Sequence, residues 1–271
     1  MNGIDRSIGE WKSIEMLEDG NSPVHRLSPL AKLIITAAYI LTVVSFHKYD
    51  LSSMIFMLLF PLTAYQISGI PMRTCMYRLR LVMPLILAVG VFNPLLDRTP
   101  LFFIGRTAVS GGVISMLTLA LKGFLSLSAS FLLIATTRID ALCAALRRLH
   151  VPSMLVTLLL LTFRYITVMM EEVSVMSQAY ALRAPGQRGI HYKAWGSFLG
   201  QLLLRSMDRA QELYASMELR GFEGTFTYAQ GAPFTAKDLI CTVVCIGLFA
   251  LVRNFNLTLL LGRAAVELLG R

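Results

Sequence analysis

Charge is scarce in this chain. Only 15% of its 271 residues are Asp, Glu, Lys or Arg, where a soluble domain carries about a quarter, so an ordinary soluble globular class is excluded. Cysteine is scarce too: Cys75, Cys143, Cys241 and Cys245 form neither a disulfide framework nor a zinc spacing. Cys241 and Cys245 lie one turn apart in an apolar segment, where buried thiols behave as small hydrophobes. The histidines (His25, His47, His150, His191) are scattered. There is no Gly-x-x-x-x-Gly-Lys-Ser/Thr loop to cradle phosphate and no His-Glu-x-x-His on a helix. Glu171 and Glu172 are adjacent, point apart on a helix, and read as solvated surface rather than an acid/base pair. The first 28 residues hold Asp5, Glu10, Glu15, Glu18 and Asp19 and no apolar core. They are therefore no cleavable signal peptide, and the N-terminus is expected to stay in the cytoplasm.

What the chain has in quantity is apolar sequence. Hydrophobic residues make up 55% and the mean hydropathy is +0.64, gathered in blocks of about the 17–25 residues that cross a bilayer as helix. The short alternating strands of a transmembrane barrel are missing. The fold class is an all-α integral membrane protein, with about five transmembrane helices and two long cytoplasmic helices. The net charge is +9 and the pI about 9.7. The basic residues sit in loops, as orientation signals and lipid-headgroup contacts do, so no nucleic-acid partner is implied.

The domain organisation follows from the blocks. Residues 1–28 form a polar cytoplasmic leader, with a short amphipathic helix near Ile8–Leu17. Residues 29–136 hold spans 1–4, about Leu30–Phe46, Leu51–Ile70, Leu81–Leu96 and Ala108–Ala135. Pro61 lies inside the second, where a neighbour or a local kink must satisfy the freed carbonyl. Pro71–Arg80 reads as a basic interfacial stretch, Pro84 and Pro94 bend the third span, and Leu101–Ile104 is an apolar patch in a loop. Residues 137–236 form a cytoplasmic domain; 237–271 hold the last span, about Asp238–Phe255, and a tail, Asn256–Arg271, that reads as interfacial. With the N-terminus inside, 18 Lys and Arg residues fall on the inner side and 6 on the outer, as the positive-inside rule favours. The twenty-fifth, Lys122, sits near the middle of a span. An intramembrane charge is a functional suspect, and a stand-alone secondary transporter is the reading it supports. A snorkelling side chain or a polar protein contact is the alternative.

The central stretch carries the most information. Arg138–His150 is amphipathic, with Ile139, Leu142, Leu146 and Leu149 on one face, and Val151-Pro152 ends it. Ser153–Met170 is apolar enough to enter the membrane surface and runs without a breaker into Glu171–Arg183, where Pro185-Gly186 stops it. A second long helix covers about Trp195–Arg220 and stops at Gly221. One face of the first arm holds Ile166, Met169, Met170, Val173, Met176 or Ser177, and Tyr180; a stripe on the second holds Leu203, Met207, Ala210, Leu213 or Tyr214, and Met217. A core-packing pair and a partner-docking pair both fit such stripes. The methionines suit a surface that re-packs against a moving partner. Gly196-x-x-x-Gly200 suggests close helix packing. Each arm ends in a similar motif, Ala181-Leu182-Arg183-Ala184 and Glu218-Leu219-Arg220-Gly221. A terminal Arg is favoured by the helix dipole, and it also makes bidentate bonds to a carboxylate that Lys cannot copy.

The run from Thr136 through Arg147-Arg148-Leu149-His150-Val151-Pro152, continuing through Leu160–Ile166 and Glu171-Glu172 to Ala181–Ala184, resembles the transmembrane T component of energy-coupling factor transporters. His25–Lys32, with Pro29 and Lys32, fits the same family, and the leader with Ile4-Asp5-Arg6 looks most like its cobalt-transport branch, the CbiQ proteins. The resemblance implies a scaffold, not an enzyme. Its implied partners are two cytoplasmic ABC-type ATPases, a membrane substrate-binding S component, a small accessory membrane subunit and the lipid bilayer. The implied location is the cytoplasmic (inner) membrane of a bacterium or archaeon. No cofactor is expected on this chain; ATP and Mg belong to the ATPases. Carried over by position, the coupling residues are Ala181, Leu182, Arg183 and Ala184, and Leu219, Arg220 and Gly221. Ala184 stands where the family pattern has Gly, so the first helix end is expected to be shaped differently. Cobalt is the implied solute, with nickel or a vitamin as alternatives.

Overall fold

The computed structural model describes residues 20, 22–48, 50–96, 100–104, 107–187, 189–222, 224 and 234–254. The expected leader helix near Ile8–Leu17 and the tail after Asn256 lie outside them. The chain divides into two compact units, one formed by 17–137 with 232–271 and the other centred on 138–231.

The first unit is a helical bundle. Its elements are α1 (Pro23–Arg26), α2 (Pro29–Ser45), α3 (Leu51–Met57), α4 (Leu59–Ser68), α5 (Met72–Gly90), α6 (Phe92–Leu96), a hairpin of β1 (Pro100–Ile104) with β2 (Thr107–Ser110), α7 (Gly111–Thr136) and α11 (Ala236–Asn254). The apolar patch expected as loop at 101–104 is thus a strand, paired antiparallel to 107–110. Four apolar residues in a row suit an extended pair as well as a loop.

Proline shapes two of the helices. The second span breaks at Leu58 between α3 and α4. Pro61 has no N–H for the Met57 carbonyl four residues earlier. The Tyr39 hydroxyl takes over that carbonyl at 2.9 Å from α2. Tyr39, Phe60 and Phe249 then stack with centroids 4.8, 5.3 and 5.0 Å apart, which ties α2, α4 and α11 into one core with Val43, Met54 and Leu125. The third span breaks at Val91, three residues before Pro94, while Pro84 is absorbed within α5. The helix of the third span begins at Met72 rather than at Leu81, so the basic stretch 72–80 forms the first turns of α5. No breaker separates Pro71 from Pro84, so the arginines ride on the helix; Arg78 lies over the Phe131 ring at 5.3 Å. Helices α5 and α7 pack so closely that a Cβ on Gly123 would stand 2.5 Å from Ile86 Cδ1.

Two lysines join α2 and α7 reciprocally. Lys32, in the first turn of α2, donates to the Thr136 carbonyl at the end of α7 at 2.6 Å. Lys122 of α7 donates to the Val44 carbonyl at 3.0 Å and to that of Phe46, at the end of α2. The helices therefore run antiparallel, and each ammonium sits at the negative end of the other's dipole.

In the second unit, α8 (Ile139–Arg148), α9 (Ser153–Arg183), a 3-10 turn (Tyr192–Ala194) and α10 (Trp195–Leu219) follow one another. Cys143 and Ala145 are buried on α8, while Leu149, the last residue of the apolar face, lies at the helix end and is 42% exposed. Burial pushes the Cys143 thiol up, and Asp140 adds to the shift; the group stays a neutral thiol. Val151 N donates to Leu146 O and His150 N to Arg147 O, with His150 at φ +64. That is the two-bond helix ending in which Gly is usual, and Pro152 follows it.

Among the described residues three helices are long and apolar enough to cross a membrane, Met72–Pro94, Gly111–Thr136 and Ser153–Arg183; Pro29–Ser45 and Ser53–Ser68 are shorter apolar helices. Ser153–Arg183 joins this set although its start was expected only to enter the membrane surface. The reason is continuity, since 31 residues pass without a Gly or Pro. Helix α11 is 19 residues with Lys237, Asp238 and Arg253 at its ends.

Candidate functional site: two exposed helix ends

Helices α9 and α10 form an antiparallel hairpin. Its turn is held by Tyr180, whose hydroxyl donates to Gln187 Oε1 at 3.0 Å and accepts from His191 N at 3.3 Å. Farther along, Arg205 of α10 pairs with Glu172 of α9. Beside this pair lies an open apolar groove of about 280 Å³, lined by Leu161, Tyr165, Met169, Ala210 and Leu213. Arg183 lies eleven residues beyond Glu172 and Arg220 fifteen beyond Arg205, so at 1.5 Å per residue the arms reach ~16 Å and ~22 Å. Because the helices are antiparallel, the two motifs point to opposite ends of the pair.

Both tips are exposed. Leu182 is 84% and Leu219 90% accessible, the two most exposed large apolar side chains on these helices. Ala181, Arg183, Arg220 and Gly221 are exposed as well, and Ala184 is half-buried. No described residue pairs with the Arg183 or Arg220 guanidinium. A leucine fully offered to water next to an unpaired guanidinium gives each tip an apolar anchor and a bidentate donor side by side.

The two ends are built differently. At the second, Phe222 N donates to Met217 O at 3.1 Å and Gly221 N to Glu218 O at 2.9 Å, with Gly221 at φ +77. This closed ending needs a residue that adopts the left-handed region, which Gly does without strain. At the first, Ala184 has φ −125 and ψ 63, its N–H donates to Tyr180 O at 3.0 Å while its carbonyl accepts from Gln187 N at 3.3 Å, and Pro185 then stops the helix. The α10 stripe is open: Leu203 is 61%, Met207 54% and Tyr214 61% exposed, and Phe198 alone is buried among the described residues of that helix. A core-packing pair would bury them. Among the described residues nothing lies within 4 Å of a Cβ placed on Gly196 or Gly200, so neither glycine makes a close helix contact with them.

The sequence named Tyr180 and Lys32 but not their partners: Tyr180 sets the hairpin with Gln187 and His191, and Lys32 and Asp238 tie helix ends in the other unit. The pattern Thr235-x-x-Asp238 was the available signal for Asp238, since it is a capping box with Asp in place of Glu. Among the described residues no three His, Cys, Asp or Glu side chains gather as a metal site.

A polytopic all-α membrane protein with a long antiparallel helix pair and two exposed Leu-Arg tips is the class these features define. Residues 20–229 match the family model of the cobalt transport protein, CbiQ. The chain belongs to that family, whose members are transmembrane components of energy-coupling factor transporters. It is 27% identical over 248 residues to the energy-coupling factor transporter transmembrane protein EcfT of Exiguobacterium sibiricum, covering 84% of this chain and 94% of that one. It is 30% identical over 129 residues to the nickel permease LarQ of Lactiplantibacillus plantarum, and 28% identical over 113 residues to the cobalt transport protein CbiQ of Rhodobacter capsulatus. Those two alignments span about half of each chain: 48% of this one and 47% of LarQ, and 41% of this one and 46% of CbiQ.

Proposed function

We propose that the chain is the passive scaffold of an ATP-driven importer in a cytoplasmic membrane, with its N-terminus and second unit on the cytoplasmic side. The observation that carries this reading is the pair of exposed tips, Ala181–Ala184 and Leu219–Gly221, at opposite ends of one antiparallel hairpin. Two such tips suit two similar partners, each taking one leucine into an apolar groove and one arginine onto a carboxylate. Two ABC-type ATPases are those partners; they bind ATP and Mg, hydrolyse ATP and move the arms. A membrane substrate-binding component holds the solute and reorients as the bundle shifts, and a small accessory membrane subunit completes the complex. Cobalt ion is the inferred solute, from the family match; nickel, named for LarQ, and a vitamin are the alternatives. Lys122 does not favour a stand-alone secondary transporter, since its ammonium is occupied with the end of α2.

Arg220→Glu tests the assignment. A buried interfacial charge pair that loses one partner costs about 2–5 kcal/mol, so the ATPase co-purifying with the variant should fall at least tenfold, and uptake with it, while membrane insertion is unchanged. Unchanged docking and uptake in Arg220→Glu would sink the assignment.

A further inference from the structure

The chain leaves the first unit after Thr137 and re-enters it at residue 232. Both crossings are fastened to the same turn of α2. Lys32 Nζ donates to Thr136 O at 2.6 Å and to His25 O at 3.2 Å. The Asp238 carboxylate accepts from Thr235 N at 2.9 Å and from Ser28 N at 3.4 Å, while Lys32 N donates to Ser28 O at 3.1 Å. Ser28–Lys32 thus holds the last residue of α7 on one side and the first turn of α11 on the other. Lys32 and Asp238 are 6% and 8% exposed. Among the described residues no carboxylate stands within ion-pair distance of Lys32; the carbonyl end of α7 compensates its charge instead.

Two further groups at this turn are unusual. Ser28 Oγ and Thr137 Oγ1 are buried without a hydrogen-bond partner among the described residues. Buried hydroxyls are nearly always paired, and a partly satisfied polar network favours any second arrangement that supplies the missing partners. A displacement of the 138–231 segment pulls on Thr136 and Thr235, and among the described residues the side chains of Lys32 and Asp238 link them to α2.

We infer that Lys32 and Asp238 are positioning residues for transport: they carry the displacement of the second unit to α2. This rests on the scaffold reading above. The neutral variants keep the tips intact, so they should still assemble with the ATPases and hydrolyse ATP, but move less solute per ATP. Coupling of this kind is worth roughly 5–150-fold.

The test is reconstitution of the complete importer in proteoliposomes with radiolabelled cobalt(II), comparing the unmodified chain with Lys32→Met, Lys32→Arg and Asp238→Asn. Recovered complex, ATP hydrolysed and cobalt(II) accumulated are read separately. The expected result is a roughly tenfold or greater fall in cobalt(II) per ATP for Lys32→Met and Asp238→Asn, with Lys32→Arg, which keeps its donors, largely restored. An unchanged ratio in both neutral variants overturns the inference. So does a loss of uptake only in proportion to recovered complex, which would leave both residues with a folding role alone. If Lys32→Met gives no complex, the ratio for Asp238→Asn decides in the same way. Failure of the underlying reading looks different: the unmodified chain then recovers no ATPase, or recovers it and accumulates neither cobalt(II), nickel(II) nor a vitamin.

Discussion

Removing the Tyr39 hydroxyl should cost stability, and the cost should depend on Pro61. The Met57 carbonyl has lost its helical donor to Pro61 and accepts from Tyr39 at 2.9 Å instead. Tyr39→Phe leaves that carbonyl buried and unsatisfied, because Tyr39 is 0% and Met57 2% exposed. An orphaned buried polar group costs about 1–3 kcal/mol; hydrogen bonds within membrane proteins average nearer ~0.6 kcal/mol in measured cycles. The expected loss is therefore about 1–2 kcal/mol, a factor of roughly 5–30 in the unfolding equilibrium. Pro61→Ala supplies the missing N–H, so in that background Tyr39→Phe should cost under ~0.5 kcal/mol. The assay is a double-mutant cycle of reversible unfolding in bicelles, which subtracts the packing lost with Pro61. A coupling energy near zero would refute the account of how the broken span is held together.

Two further outcomes follow from the same bundle. Lys122→Met removes the donor to Val44 and Phe46 carbonyls and should lower unfolding stability by about 1.5–3 kcal/mol. The variant should not abolish ATP-dependent uptake by the folded complex, and uptake lost from fully folded Lys122→Met would return this lysine to the transport path. Gly123→Val drives methyl groups into Ile86 and should destabilise by about 1–3 kcal/mol; a variant as stable as the unmodified chain would mean that α5 and α7 are not closely packed there.

What was legible in the sequence was local. The helix stops at Pro185-Gly186 and at Gly221 are written within a few residues, and so is the apolar character of the spans. The need for a partner near Pro61 was also legible, but not its identity, because Tyr39 lies on another helix. The same holds for Lys122, whose acceptors at Val44 and Phe46 are 78 and 76 residues away, and for Lys32, whose acceptor Thr136 is 104 away. At 72–80 the three arginines hid the helix start: the lack of any breaker after Pro71 let α5 begin there. Leu101–Ile104 misled the reading through shortness, since four apolar residues carry no period. The exposed state of Leu182 and Leu219 was not readable either, because a leucine before a terminal arginine is as common in a core as on a surface. Family membership came from the pattern of 136–184, which no single element of the fold explains.

The most direct test of the central claim is recovery of the tagged chain from its native membrane in a mild detergent, with the co-purifying proteins identified by mass spectrometry. The account predicts ABC-type ATPase subunits and a small membrane protein with the unmodified chain, and their loss when Arg183 and Arg220 are both changed to Glu. Recovery of the chain alone, in a detergent that preserves known complexes, would contradict it, as would ATPases retained in full by the doubly substituted chain.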